Sequence, residues 1–153
     1  MILDGRTVIV SGVGPGLGGE VALLAHRDGA NVVLAARSAE RLAASAEALD
    51  PSGERVLAVP TDITDPASCD ALVAAATERF GALHAVAQVA AVDTAIGNLE
   101  ASTEDDWRRC FETNVLGSMN LVRSAVPALR AAGGGAVVLI GSQSAVRPPT
   151  AMP

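Results

Sequence analysis

Ser11-Gly12-Val13-Gly14-Pro15-Gly16-Leu17-Gly18, entered from the apolar run Thr7-Val8-Ile9-Val10, decides how the rest of the chain is read. Four glycines within the seven positions 12–18 forgo side-chain packing and cost backbone entropy, so the main chain itself must have a task there. A strand that turns on glycines and opens a helix is a geometry for holding a pyrophosphate. The helix start offers unpaired N–H groups and partial positive charge, and glycine lets an anion approach closely. A flexible glycine linker is the bland alternative, but an amphipathic helix follows at once, with Leu17, Val21 and Leu24/Ala25 spaced to share one inward face and Gly29 to stop it.

Outward from this turn the chain alternates strand and helix. Residues 31–36 form a second buried strand, and Ser38 caps a helix that turns Leu42, Ala46 and Leu49 inward. Asp50-Pro51-Ser52-Gly53 is a turn, and residues 56–59 form a third strand, followed by Thr61-Asp62-Ile63-Thr64. Asp65-Pro66 reads as cap and first helical residue, with Leu72, Val73, Ala76 and Phe80 on one face and Gly81 closing. Residues 83–89 give a fourth strand. Ser102 or Thr103 then caps a long helix whose inward face is Trp107, Phe111, Val115, Met119 and Val122, with a kink expected at Pro127. Gly133-Gly134-Gly135 ends it before a fifth strand at 136–140, apolar on both faces like an interior strand; left last in a sheet it would be a bare, aggregation-prone edge. Such alternation predicts one α/β domain over 1–153, a parallel sheet with right-handed crossovers and helices on both faces.

Composition narrows the function classes. Half of the 153 residues are apolar, yet there are two Phe, one Trp and no Tyr, so aliphatic residues and Ala fill the core. A formal charge of −6 argues against a nucleic-acid partner. The uncharged run 131–146 is broken by glycines, so no membrane span is expected, and the amino terminus has no basic-then-apolar secretion signal. Cys69 and Cys110 match no metal or redox spacing and read as reduced, buried thiols of a cytoplasmic protein. His26 and His84 stand alone, so no metal site is expected.

Gly12-x-x-x-Gly16-x-Gly18 behind a small hydroxyl residue resembles the cofactor loop of the short-chain dehydrogenase/reductase family. The register Gly14-x-Gly16-x-x-Gly19 fits the wider dinucleotide pattern, but its first glycine lies too far past the strand for the tight turn. The resemblance covers nearly the whole chain. It implies a Rossmann-type doubly wound sheet of order 3-2-1-4-5, lacking the family's carboxyl-terminal strands, with the cofactor at the carboxyl ends. On that reading Ser11, Gly12, Gly16, Leu17 and Gly18 form the pyrophosphate turn.

The end of the second strand has Ala36 where an acid would accept from the ribose hydroxyls, and Arg37 next, which favours NADP over NAD as cofactor. Pro15 stands where NADP-preferring members often carry a second basic residue. Asp62 and Ile63 match the family's adenine contacts, although an Asx turn at a helix entry also explains Asp62. Gln88-Val89-Ala90-Ala91 replaces the usual Asn-Asn-Ala-Gly: Ala90 and Ala91 still admit the nicotinamide ribose, but the bracing Asn side chains are gone.

Asn114, on the apolar face of the long helix, is either a satisfied core amide or, within Thr113-Asn114-Val115-x-Gly117, the counterpart of the family's active-site Asn, which fixes a water in the proton relay. Ser142 at the end of the fifth strand matches the serine that orients the substrate oxygen, with Ser144 as fallback. The family's Tyr-x-x-x-Lys is missing, since there is no Tyr and all eleven Lys+Arg are Arg. That pair is expected just past Pro153, so the sequence reads as the amino-terminal portion of a longer enzyme, inactive alone. The resemblance thus implies an NAD(P)-dependent oxidoreductase interconverting a small-molecule alcohol and carbonyl, a homo-oligomer at full length. The alternative is a catalytically silent dinucleotide-binding or sensor domain.

Overall fold

The apolar runs at 7–11 and 31–36 become central strands because both of their faces are covered. In the computed structural model, which describes residues 1–94 and 100–147, β1 (Thr7–Ser11), β2 (Asn31–Ala36), β3 (Val56–Pro60), β4 (Ala85–Gln88) and β5 (Ala136–Leu139) lie parallel in the order β3-β2-β1-β4-β5. Helices α1 (Leu17–Arg27) and α2 (Ala39–Leu49) cover one face, where Ala22, Ala25 and Leu42 meet Val8, Val10, Val32, Leu34 and Val56. Helices α3 (Pro66–Phe80) and α5 (Ser118–Ala131) cover the other, where Leu72, Ala76, Leu121, Ala125 and Leu129 meet Ile9, Val33 and Val86. Successive residues of β1 point to opposite cores, as the two-residue period of a strand requires. This is the doubly wound Rossmann-type fold.

The expected caps form. Ser38 Oγ accepts from Arg41 N–H at 3.4 Å, and Asp65 Oδ1 accepts from Ala67 N–H at 3.0 Å with Pro66 as the first helical residue. Thr103, rather than Ser102, caps α4 (Glu104–Phe111) in a reciprocal box with Asp106. At the opposite end of the sheet Asp50 closes its turn by accepting from Ser52 and Arg55, which holds its carboxyl down at about 2.

Three expectations are corrected. The inward face of α1 is Gly18, Ala22 and Ala25; Leu17 and Leu24 are more than half exposed. The helix lies too close to the sheet for large side chains, since a Cβ on Gly18 would stand 2.2 Å from the Gly12 carbonyl oxygen.

The long helix is not one regular α-helix: α4 passes into a π-helical segment, Glu112–Gly117, before α5. The wider turn changes the phase of the face, so Gly117, Leu121, Ala125 and Leu129 point inward. Trp107, Phe111, Val115 and Met119 are left on the outside, and α5 continues through Pro127.

As expected of that run when last in a sheet, β5 is an edge strand among the described residues, and its Val137, Val138 and Leu139 are exposed. Cys110 is half-buried where burial was expected, while Cys69 is fully buried; neither is in a disulfide. Among the described residues no helix is long and apolar enough to cross a membrane, and no His/Cys/Asp/Glu group could hold a metal ion.

Candidate functional site

The carboxyl ends of β1 to β4 open into a cleft of about 850 Å³, closed on the far side by α4 and the π segment. Ser11, Gly12, Arg37, Asp62, Ile63, Ala90 and Ala91, seven of the residues singled out from sequence, line it.

Its floor is the glycine turn. Gly12 has φ +89°, and a Cβ there would come within 2.3 Å of Ala90 N, so only glycine lets the loops after β1 and β4 touch. Gly12 N–H and Val13 N–H both donate to Ala35 O, at 2.8 and 3.3 Å, which pins the turn to β2. Gly16, at φ +127°, caps α1 without a side chain and has nothing within 4 Å of its virtual Cβ. The start of α1 is therefore an open backbone surface with the unpaired first-turn N–H groups of any helix. Gly16, Leu17 and Gly18 do not line the cleft themselves: Gly18 is packed under the turn and Leu17 is the exposed first residue of α1.

At one end of the cleft, Arg37, Ser38 and Arg41 stand together where β2 passes into α2. Arg41 was not anticipated; it stands in the first turn of α2, beyond the Ser38 cap that follows Arg37. Across from them, Asp62 Oδ1 accepts from Thr64 N–H at 2.9 Å and from Thr64 Oγ1 at 2.8 Å. These bonds, with help from the Arg37 charge, hold its carboxyl below the ordinary value against the opposing effect of burial. The Asx turn of the bland reading is thus present, and it occupies one carboxylate oxygen.

The wall after β4 is braced in a way the sequence did not reveal. Gln88 is 3% exposed, and its Nε2 donates to Ala90 O at 2.9 Å and to Ser118 Oγ at 3.1 Å. Ser118 Oγ in turn donates to Asn114 O at 2.8 Å. The bracing thought lost with the Asn pair is supplied by the longer amide, while Gln88 Oε1 has no partner among the described residues.

Asn114 is exposed, not buried, because the π segment carries it away from the core. It makes a reciprocal pair with the main chain of Val92, accepting from Val92 N–H and donating to Val92 O, both at 2.8 Å. It holds the cleft wall and does not line the cleft. Ser142 is also outside the lining; it is exposed and caps a short 3-10 turn, Gln143–Ala145, accepting from Ser144 N–H at 3.2 Å. Arg109, Glu112 and Thr113 do line the cleft and were missed. The one sequence signal for them was that Thr113 adjoins Asn114.

The donor set suits a dinucleotide: a bare helix start, guanidinium groups at one strand end, an acceptor carboxylate at the next, and small residues opposite. The profile of the short chain dehydrogenase family matches residues 6–153. The chain is 36% identical over 143 residues to the glycine betaine reductase ATRR of Emericella nidulans, covering 93% of this chain and 11% of that protein. It is 36% identical over 135 residues to the trans-4-hydroxycyclohexanecarboxylate dehydrogenase of Sinomonas cyclohexanicum, covering 84% of this chain and 52% of that one. A crystal structure of a short-chain dehydrogenase/reductase from Brucella melitensis superposes with a TM-score of 0.88 at 29% identity, over 97% of this chain and 61% of that one. The chain thus spans less than two thirds of the length of these relatives. By fold, glycine turn and sequence, it belongs to the short-chain dehydrogenase family of oxidoreductases.

Proposed function

We propose that the carboxyl-end cleft binds a nicotinamide adenine dinucleotide, NADP in preference to NAD, and that the protein serves the interconversion of an alcohol and a carbonyl. One observation carries this reading: Ser11 and Gly12 at the head of the glycine turn, the Arg37–Ser38–Arg41 cluster and the Asp62–Ile63 pair all line one connected cleft. The amides of the 12–18 turn would hold the diphosphate. Arg37 and Arg41 would pair with a 2′-phosphate, because no carboxylate stands at Ala36 to repel it. Asp62 would accept from the adenine amino group through the oxygen that Thr64 leaves open, with Ile63 against the ring. Ala90 and Ala91 leave room for the nicotinamide ribose.

When bound, the nicotinamide supplies or accepts the hydride. Asn114 fixes the wall beside it through Val92. The hydroxyl of Ser142, which accepts from Ser144, keeps its own proton to donate to a substrate oxygen. The name of the dehydrogenase relative, which specifies a hydroxylated substrate, supports the alcohol/carbonyl assignment. Exposed Trp107, Phe111 and Met119 support self-association, and the two thiols fit a cytoplasmic setting.

Because these 153 residues hold no Tyr and no Lys, a dinucleotide-binding or sensor role without turnover is the second reading. Calorimetric titration decides between NADP and NAD. Arg37→Ala should weaken NADP by about tenfold, one charge-assisted bond, and leave NAD unchanged. No heat with either nucleotide refutes the cofactor reading. Binding without NADPH oxidation across a carbonyl panel favours the sensor role.

A further inference from the structure

Asn120 lies on α5, outside the cleft, yet its side chain reaches the loop after β3. Its Nδ2 donates to Ile63 O at 3.2 Å and to Thr64 O at 3.5 Å, a two-hydrogen fork onto consecutive carbonyls. The contact is close on both sides. Just before Asn120, Gly117 presses so near this loop that a Cβ there would stand 2.8 Å from Ile63 Cγ1. Ile63 is buried and lines the cleft, and its carbonyl also accepts from Cys69 Sγ at 3.6 Å.

Thr64, held at its carbonyl, supplies both bonds that orient the Asp62 carboxylate. The tie therefore runs from Asn120, through the main chain of residues 63 and 64, to the Asp62 side chain. Ser68 Oγ supports the same loop from α3 by accepting from Asp62 N–H at 3.1 Å. An amide that bonds only to carbonyls must present its nitrogen. Asparagine suits the place because it is neutral, short and a double donor.

We propose that Asn120 is a positioning residue for the purine end of the dinucleotide: it fixes the 62–64 loop so that Asp62 and Ile63 meet the base. This rests on the cofactor reading above and concerns one half of the ligand only. The loop after β4 is held separately, by Asn114 on the same helical rod, so the nicotinamide half should not respond.

The test uses the full chain and two probes, 2′,5′-ADP for the adenosine half and nicotinamide mononucleotide for the other. Asn120→Ala removes the donors, and Asn120→Asp keeps the shape but sets an acceptor against two carbonyls. Either should weaken 2′,5′-ADP by about tenfold, the loss of one or two neutral hydrogen bonds. The mononucleotide should stay within about twofold, inside the spread of a substitution that touches nothing of its site. In the unliganded chain, amide hydrogen exchange at Thr64 should accelerate.

Equal losses for the two probes would show a general weakening of the fold and overturn the proposal. Unchanged 2′,5′-ADP affinity with a binding-competent parent would overturn it alone, leaving the cofactor reading intact. A parent that binds neither probe nor either dinucleotide removes the cofactor reading, and this one with it. Should the aspartate variant fail to fold, the alanine variant carries the same comparison.

Discussion

Replacing Gly12 by Ala and, separately, Gly14 by Ala separates two ways of reading the glycine turn. Gly12 has φ +89°, where an L side chain costs about 1–2 kcal/mol. Its added Cβ would also stand 2.3 Å from Ala90 N and 2.5 Å from Ala90 Cα, so the loop after β4 must retreat by about 1 Å to reach ordinary contact. That retreat strains the Val89 N–H to Ser11 O bond, now 2.9 Å, and overpacking of this kind costs about 1–3 kcal/mol. The combined loss, about 2–5 kcal/mol, corresponds to a fall in Tm of about 4–20 °C for a domain of this size. Gly14 has no positive φ and nothing within 4 Å of its virtual Cβ, so alanine there should alter stability by less than about 1 kcal/mol, in the stabilising direction. Calorimetric melts of the two variants give the comparison, and NADP titration of the Gly12 variant should show binding lost with the turn. Equal melting temperatures, or a Gly14 variant that melts lower, would refute the register Gly12-x-x-x-Gly16-x-Gly18.

Asn114→Ala removes a reciprocal hydrogen-bond pair to Val92, so exchange at the Val92 amide should accelerate by about tenfold or more, read by mass spectrometry or NMR. Because Asn114 is exposed, its Tm should fall by no more than a few degrees, roughly 1 kcal/mol. A pH series tests His84, whose Nδ1 accepts from Thr7 N–H at 3.0 Å and so must stay unprotonated. Burial, then the Arg6 charge, lowers its pKa from 6.5, and burial likewise lowers that of His26, followed by Arg55 and opposed by Asp50. The unfolded chain then binds the proton more readily, so stability is complete above pH 6.5 and drains away as pH falls through the lower folded values. Urea midpoints should decrease from pH 7.5 to 5.5, and His84→Gln should flatten part of that slope; an unchanged slope would refute the His84 assignment.

The sheet was legible because its central strands are buried on both faces: Val8, Ile9 and Val10 serve two cores, and such runs leave an unambiguous apolar signature. Helix boundaries were legible where a side chain closes them, as with Asp65-Pro66 and Ser38. The face of α1 was not, because hydrophobicity ranks Leu17 and Leu24 above Gly18 and Ala22, whereas closeness to the turn selects for size. Nor was the π segment, since a wider turn is a matter of hydrogen-bond register that no residue type announces. That single irregularity explains why Asn114 was expected buried and is exposed, and why the Trp107 row was turned inward on paper. In the cleft, positions next to a strand end were readable. Arg109 and Glu112 join it, and Asn120 and the brace of Gln88 on Ser118 support it, only through tertiary packing.

The π segment makes the chain's count of residues matter as much as their kind. Each position of an α-helix advances about 100° around the axis, and the wider turn takes up about one residue more than an α turn, so excising one residue from Glu112–Gly117 would close the segment into ordinary α-helix and leave everything beyond it in nearly the same phase. The amide of Asn120 would keep to the β3 loop, and Leu121, Ala125 and Leu129 to the sheet, but the bulge that sets Asn114 against Val92 would be gone. Conservative substitutions at 115 or 116, both exposed, should pass almost unnoticed there. A one-codon deletion would not.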